Sequence, residues 1–412
     1  MWEQALTAFA RRLVRRGSLE ITFPTGRRIT LGDGSGPRLT MQIIDPALPR
    51  RLCLMPELAM GEGYMDGGLT IGDDDLHGVL TLLLANGAAL NSLPLWQRPV
   101  GSARRWLRGF AQWNTARRSR ANVAHHYDLS GALYDLFLDK DRQYSCAYFR
   151  DPEMTLDQAQ AAKKAHIAAK LLLRPGMHVL DIGCGWGGMA LTLARDHGVR
   201  VTGVTLSEEQ WTVARARAKD EGLSDRVNFQ LMDYRDVQGP FDRIVSVGMF
   251  EHVGVPHYRT YFAKVRNLLA PDGVALIHTI GRTMPPRYTS PWITKYIFPG
   301  GYSPALSEIM TAIENEDLIQ TDIEILRLHY ARTLRLWHDR FLAREDEARA
   351  LYDERFCRMW RFYLTVSELA FVHSRHAVFQ IQLVRNQTAV PLTRDYLYAA
   401  ADQASIQAHA AE

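Results

Sequence analysis

Cysteine is scarce in this chain: 4 residues in 412, at positions 53, 146, 184 and 357. They are too scattered for a Cys-x-x-Cys pair or a disulfide framework, so free thiols in a reducing compartment are expected. Long apolar runs are also missing. Val79 to Ala85 is among the longest and stops at Asn86-Gly87, far short of the roughly 20 residues that span a bilayer. The chain does not open with the basic, apolar and small-residue succession of a signal peptide, and a cytoplasmic protein is expected. A net charge of +4 says little about partners, and no nucleic-acid recognition motif accompanies the basic residues, so no such partner is expected. Internal repeats are absent, and the one biased tract is an Ala-rich tail.

What is present begins with an ordinary globular composition and a length that suits two domains. The arginines are clustered. Arg11, Arg12, Arg15 and Arg16 share a short amphipathic segment with Trp2, Leu6, Phe9 and Leu13, and Arg104, Arg105, Arg108, Arg117, Arg118 and Arg120 interleave with Trp106, Leu107, Phe110 and Trp113. Such segments can lie on an anionic bilayer with aromatics beneath the headgroups. The alternative is a helix with a solvated face, packed on its own domain. Alternating patterns at Leu19 to Phe23, Arg27 to Leu31 and Leu39 to Ile44, broken by Pro24-Thr25-Gly26 and Gly32 to Gly36, predict a strand-rich opening. Met60 to Ile71 reads as a turn-rich connection before a helix at Leu76 to Leu84. Residues 91 to 120, with Pro94, Pro99 and Gly101, read as a linker, dividing an N-terminal α+β domain (1–118) from a second domain (119–412).

From Val179 onward, short apolar strands alternate with helices, the order of a doubly wound α/β sheet. Seven strands are predicted, at Val179–Ile182, Val199–Val204, Val227–Leu231, Phe241–Val247, Val274–Thr279, Ile319–Leu326 and Ala377–Val384. Helices are predicted near Met189–His197, Glu208–Glu221, Tyr258–Leu269 and Pro304–Asn315, with Ser207 capping the second. Tyr330 to Val372 is a helical insertion rich in Trp337, Phe341, Tyr352, Phe356, Trp360, Phe362 and Tyr363, suited either to wall an apolar pocket or to serve as core.

The most informative stretch is Val179-Leu-Asp-Ile-Gly-Cys-Gly-Trp-Gly-Gly188, an apolar strand running into glycines and then a helix. Gly183, Gly185 and Gly187 allow a tight turn and close approach to a ligand at a helix N-terminus. The phosphate-binding lysine of nucleotide loops is missing, whereas Asp181 stands at the strand end, placed to hold the amine of an amino-acid moiety. The pattern resembles the first motif of S-adenosylmethionine-dependent methyltransferases. After the second strand, Thr205-Leu206-Ser207 and Gln210 replace the carboxylate of nicotinamide enzymes, leaving hydroxyl and amide groups for a ribose. Asp233 and Tyr234 offer an acceptor and an aromatic surface for adenine. An ordinary cap or turn role is the alternative for each.

Further motifs, in order, are His126-Tyr-Asp128, Gln143-Tyr-Ser-Cys-Ala-Tyr148, Met249-Phe-Glu-His-Val-Gly254, His278-Thr-Ile-Gly281 and Tyr330-x-x-Thr-Leu334. Together they resemble the cyclopropane-fatty-acid synthase family, including the mycolic-acid cyclopropane synthases, over about residues 119 to 385. Gly63-Tyr-Met-Asp-Gly67 resembles the N-terminal domain of its phospholipid-acting bacterial branch. The resemblance implies a Rossmann-like seven-stranded methyltransferase domain that converts cis-unsaturated phospholipid acyl chains to cyclopropane chains at a membrane surface. It implies a bound bicarbonate base, held by the backbone at Cys146 and Ile280 and by the side chains of Glu251, His278 and Tyr330. It also assigns Tyr127, Tyr144, Ser145 and Trp186 to the S-adenosylmethionine site. Neither His125-His126 nor His373-x-x-His376 is read as a metal site. A homodimer is left open. The competing functions are a fatty-acyl methyltransferase with a methyl- or methylene-branched product, a non-catalytic lipid-binding homologue, and a small-molecule methyltransferase.

Overall fold

The structure, a computed structural model, describes residues 1–87 and 130–398. Tyr127 with its motif, the second arginine cluster and the expected boundary at residue 118 lie outside the described residues. The described chain forms two compact units that alternate along the sequence: 1–87, 287–299 and 334–375 in the first, and 130–286, 300–333 and 376–398 in the second.

The first unit holds β1 (Ser18–Thr22), β2 (Arg28–Leu31), β3 (Arg38–Ile43) and β4 (Leu69–Ile71) in the order β2-β1-β3-β4. Ile29 and Leu31 on β2, and Met41 and Ile43 on β3, are buried, as a period of two requires of a sheet with one covered face. Helix Trp2–Leu13 packs Leu6 and Ala10 inward, against helix Leu48–Leu54. Phe9 and Leu13 are half-buried on the same helix, while Trp2, Arg11, Arg12, Arg15 and Arg16 remain exposed.

Two sequence expectations change here. Met60 to Ile71 is not a turn-rich connection: helix Pro56–Met65 occupies its first half and β4 ends it. Each internal glycine costs a helix about 1 kcal/mol relative to alanine. Here both leave room for neighbours. A Cβ on Gly61 would fall inside the indole of Trp292, and one on Gly63 would meet Leu48. The insertion forms helices His329–Ala343, Glu345–Leu351 and Glu354–His373, and from residue 334 onward it belongs to the first unit. Trp337, Phe341, Trp360, Phe362 and Tyr363 are buried there as core. Phe362 meets Trp292 edge-on at 4.7 Å, and Arg358 donates to the Tyr64 carbonyl at 2.6 Å.

The second unit is built on β5 (His178–Ile182), β6 (Arg200–Thr205), β7 (Val227–Leu231), β8 (Phe241–Val247), β9 (Leu269–Arg282), β10 (Ile319–Leu326) and β11 (His376–Val384), in the order β10-β11-β9-β8-β5-β6-β7. The pairings from β9 through β7 are parallel, and β11 is antiparallel to both β9 and β10. Leu180, Ile244 and Ile277 enter one core cluster while their neighbours Val179, Val245 and Leu276 enter another, so both faces are covered. The expected strand ends hold to within a residue or so except at β9. Leu269 already pairs with Phe241, and 270–273 bulge out before Arg243 meets Val274. Pro271-Asp272-Gly273 thus interrupts the ladder rather than preceding it. No helix among the described residues is long and apolar enough to cross a membrane, and all four cysteines are buried and none is in a disulfide.

Replacing Gly61 by alanine tests the packing account directly. On an open helix the change would stabilise by up to about 1 kcal/mol, but overpacking against Trp292 should reverse the sign and cost about 1–3 kcal/mol. The urea midpoint of the variant should fall, and a raised midpoint would refute the close approach.

Candidate active site

β5 is flanked by β8 on one side and β6 on the other, so the chain leaves it where the strand order reverses, the place where open α/β sheets bind ligands. The N–H groups of Gly183 and Cys184 both donate to the Val204 carbonyl, at 2.9 and 3.0 Å. Gly183 has φ +80, and a Cβ there would lie 2.8 Å from that of Met249. Gly187 then caps helix Gly188–His197. A pocket of about 160 Å³ opens above the loop. Of the residues assigned to the donor, Tyr144, Ser145, Asp181, Gly183, Gly185, Trp186, Thr205, Gln210, Asp233 and Tyr234 line it. Gly187 does not; it faces Phe229, which a Cβ would approach to 2.7 Å.

The polar groups of this pocket differ in how much bonding capacity they have left. Thr205 Oγ1 donates to Gln210 Oε1 at 3.1 Å and accepts from the Ser207 N–H at 3.2 Å. Asp233 is clamped by Arg235, whose Nε and Nη2 donate at 2.8 and 2.7 Å, so much of the acceptor expected for adenine is already engaged. Asp181 is only 2% exposed and its Oδ2 has no hydrogen-bond partner. Burial pushes its carboxyl up to about 7, against the pull of the Lys163 ammonium. A buried carboxylate oxygen left unpaired beside a glycine cradle fits an incoming ammonium group.

A second cluster adjoins the pocket through the loop after β8, where Met249, His252 and Val253 line it. Glu251 Oε1 accepts the Ile280 N–H at 2.6 Å, while Oε2 is buried without a partner. Burial raises this carboxyl to about 7. His278, on β9, lies 3.2 Å through Nδ1 from Gln380 Nε2; its Nε2 is buried without a partner, and burial keeps the ring neutral at pH 7. Glu251, His278 and Ile280 are thus brought together, with the Ile280 N–H spent on Glu251. Cys146 is buried, its Sγ donates to the Ala147 carbonyl at 3.3 Å, and burial raises the thiol, which is no nucleophile in this state. Its segment is tied to the turn around buried Tyr330: the Ala147 N–H donates to Thr333 Oγ1 at 3.1 Å and the Phe149 N–H to His329 Nδ1 at 3.0 Å.

Sequence reasoning missed three residues. Arg142 lines the pocket with its guanidinium 4.9 Å from the Trp186 ring, held by two 2.6 Å bonds to Asp135. His252, also in the lining, is driven down to about 4 by burial. Lys163 is fully buried and donates to Gln143 Oε1 and Ser145 Oγ at 2.6 and 2.8 Å. Its signal was legible: on helix Leu156–Leu171 it falls in the inward stripe with Leu156, Ala159 and Ile167.

If Asp181 receives the ammonium of the donor, it must be ionised to do so. Its raised carboxyl then predicts that affinity for S-adenosylhomocysteine, measured by calorimetry, falls below about pH 7 toward tenfold per pH unit. Asp181→Asn should bind weakly at every pH. A wild type whose affinity is flat between about pH 5 and 8 would remove Asp181 from this role.

The mycolic acid cyclopropane synthetase family matches residues 114–381, more than half of the chain. The cyclopropane-fatty-acyl-phospholipid synthase of Escherichia coli is 41% identical over 341 residues, covering 82% of this chain and 86% of that protein. The tuberculostearic acid methyltransferase UfaA1 of Mycobacterium tuberculosis is 37% identical over 401 residues and 92% of each chain. Among solved structures, mycolic acid cyclopropane synthase CmaA1 complexed with SAH and CTAB superposes with a TM-score of 0.61 at 34% identity, over 64% of this chain and 97% of that one. With the fold, the glycine loop and the donor pocket in agreement, this chain belongs to the mycolic acid cyclopropane synthetase family and is an S-adenosylmethionine-dependent methyltransferase.

Proposed function

We propose that the protein transfers a methylene group from S-adenosylmethionine to the cis double bond of unsaturated phospholipid acyl chains and closes a cyclopropane ring, with bicarbonate bound as the base. The observation that carries this reading is the pair of buried atoms with unmet hydrogen-bonding capacity, Glu251 Oε2 and His278 Nε2, just past the end of β8 and on β9, beside the donor pocket.

An isolated double bond is a poor nucleophile and reacts only with a strong electrophile held close in a dry site. S-adenosylmethionine, when bound, supplies an electrophilic methyl group. Asp181 would hold the amino end of the donor, the glycine loop would admit its backbone, and Tyr144 and Trp186 would shield it from water. Ring closure further requires the added methyl to lose a proton to a base in otherwise apolar surroundings. Bicarbonate presents one donor and several acceptor oxygens, which a neutral histidine and a carboxyl near its titration midpoint can satisfy together. Glu251 and His278 have that character here. In this arrangement Ile280 contributes by fixing Glu251, and Tyr330 and the Cys146 backbone complete the set.

The phospholipid substrate is supported by the Escherichia coli relative, whose name carries it. The relative named a tuberculostearic acid methyltransferase supports a second reading, in which the product is methyl-branched. Purified protein incubated with S-adenosylmethionine and unsaturated phospholipid vesicles should yield acyl chains with cyclopropyl protons by magnetic resonance; a branched methyl signal in their place would decide for the second reading. Glu251→Gln should bind S-adenosylhomocysteine as the wild type does and lose turnover by about a hundredfold or more, and unimpaired turnover would count against the assignment.

We propose further that the module before residue 118 docks on the bilayer. Arg11, Arg12, Arg15 and Arg16 form an exposed basic edge, and juxtamembrane basic residues contribute about 1 kcal/mol each on an anionic surface. Changing all four to glutamine should weaken binding to anionic vesicles, as should raised salt. Binding indifferent to both would refute this docking surface.

A further inference from the structure

Lys163 is the buried charge that the chemistry above leaves without a task. Helix Leu156–Leu171 turns its buried face to the Gln143–Ala147 segment. Gln160 Nε2 donates to the carbonyls of Gln143 and Ser145 at 3.2 and 2.9 Å, and one turn later Lys163 takes their side-chain oxygens at 2.6 and 2.8 Å. Gln143 and Ser145 both line the donor pocket. The neighbouring helix lysines have carboxylate partners, Lys164 in Asp141 and Lys170 in Glu324. Among the described residues Lys163 has none within ion-pair distance; its bonded acceptors are neutral. A fully buried ammonium with only neutral acceptors is costly, and packing alone would favour an apolar side chain at this position.

The positive charge acts on both halves of the site. It lowers the Asp181 carboxyl on β5, and it reaches Cys146 and also His278 on β9. We propose that Lys163 is a positioning residue for the transfer reaction: its ammonium fixes Gln143 and Ser145 on the pocket wall and supplies the positive potential under which the bicarbonate set proposed above, Cys146, Glu251 and His278, accepts a small anion. This rests on the bicarbonate reading above and deepens it. Glu251 and His278 bring no positive charge of their own at neutral pH, so an anion needs one from elsewhere. Burial draws the Lys163 ammonium down to about 8; Asp139, Asp141 and Cys146 from the preceding segment oppose the shift, and Lys164 on the same helix adds to it. As pH rises past that point the ammonium loses its proton and the potential disappears.

The test measures the bicarbonate concentration giving half-maximal turnover, across about pH 7 to 9.5, for the wild type and for Lys163→Met, with S-adenosylhomocysteine affinity by calorimetry as the check on folding. In the wild type that concentration should rise above about pH 8, toward tenfold per unit. In Lys163→Met it should be about tenfold higher at neutral pH and no longer rise with pH, while donor affinity falls by much less. The wild-type profile stands alone if the variant does not fold. A bicarbonate-dependent wild type with a flat profile, or a folded variant with an unchanged requirement, overturns the role of Lys163 and leaves the function standing. A wild type that makes product with no bicarbonate requirement overturns the bicarbonate reading and this inference with it.

Discussion

The carbonyl of Val204 takes two N–H groups at once, from Gly183 and Cys184, and the site depends on that joint. It fastens the end of β5 to the end of β6, so the chain beyond Ile182 must turn through a positive φ that glycine alone adopts without strain. The turn leaves Asp181 facing an opening and starts the next helix with free N–H groups. The pocket lining contributed by β6, β7 and β8 is then set by the parallel register, which brings Thr205, Asp233 and Met249 to the same edge of the sheet. A bulky side chain at position 183 would act on all of this at once, through Met249 as well as through the backbone.

Much of the second unit was legible because a parallel sheet covered on both faces writes its strands as short continuous apolar runs, and Val179–Ile182 or Phe241–Val247 have few other readings. What was hidden has a common cause. Gly61 and Gly63 look like turn residues because a pattern cannot show an indole and a leucine occupying the space their missing side chains leave. Pro271-Asp272-Gly273 carries a strong turn signal and does turn, but as a bulge inside a strand that had already begun at Leu269. The aromatic insertion was legible as helix, whereas its membership of the first unit depends on partners far away in sequence, such as Trp292 and Tyr64.

The site shows the same division. Motifs brought out the pocket wall and the Glu251, His278 and Ile280 cluster, since these lie on short contiguous stretches. They could not show which atoms were already committed. Asp233 and Asp181 are both carboxylates at strand ends, yet one is closed by Arg235 and the other retains an open oxygen. Lys163 escaped because a lysine in a helix is ordinarily a solvated residue; only its place in the inward stripe distinguishes it. Desolvation is the force common to Asp181, Glu251, His278 and Lys163, and in each it favours the uncharged form; it moves the two carboxyls and the lysine toward neutral pH, where small changes in surroundings alter the charge, and holds the histidine neutral.

The interleaving of the two units also bears on how the chain is made. The opening segment of the first unit precedes the whole of the second along the chain, but Trp292 fills the notch at Gly61, and Phe362, Trp360 and Arg358 come later still. Its core cannot close until translation has passed most of the second unit, so for most of synthesis the opening strands and helices are left with uncovered apolar surface. Nascent chains in that condition are the ones that engage chaperones or associate with one another. Order of synthesis and order of folding are therefore out of step in this protein: an early segment waits on partners made far downstream.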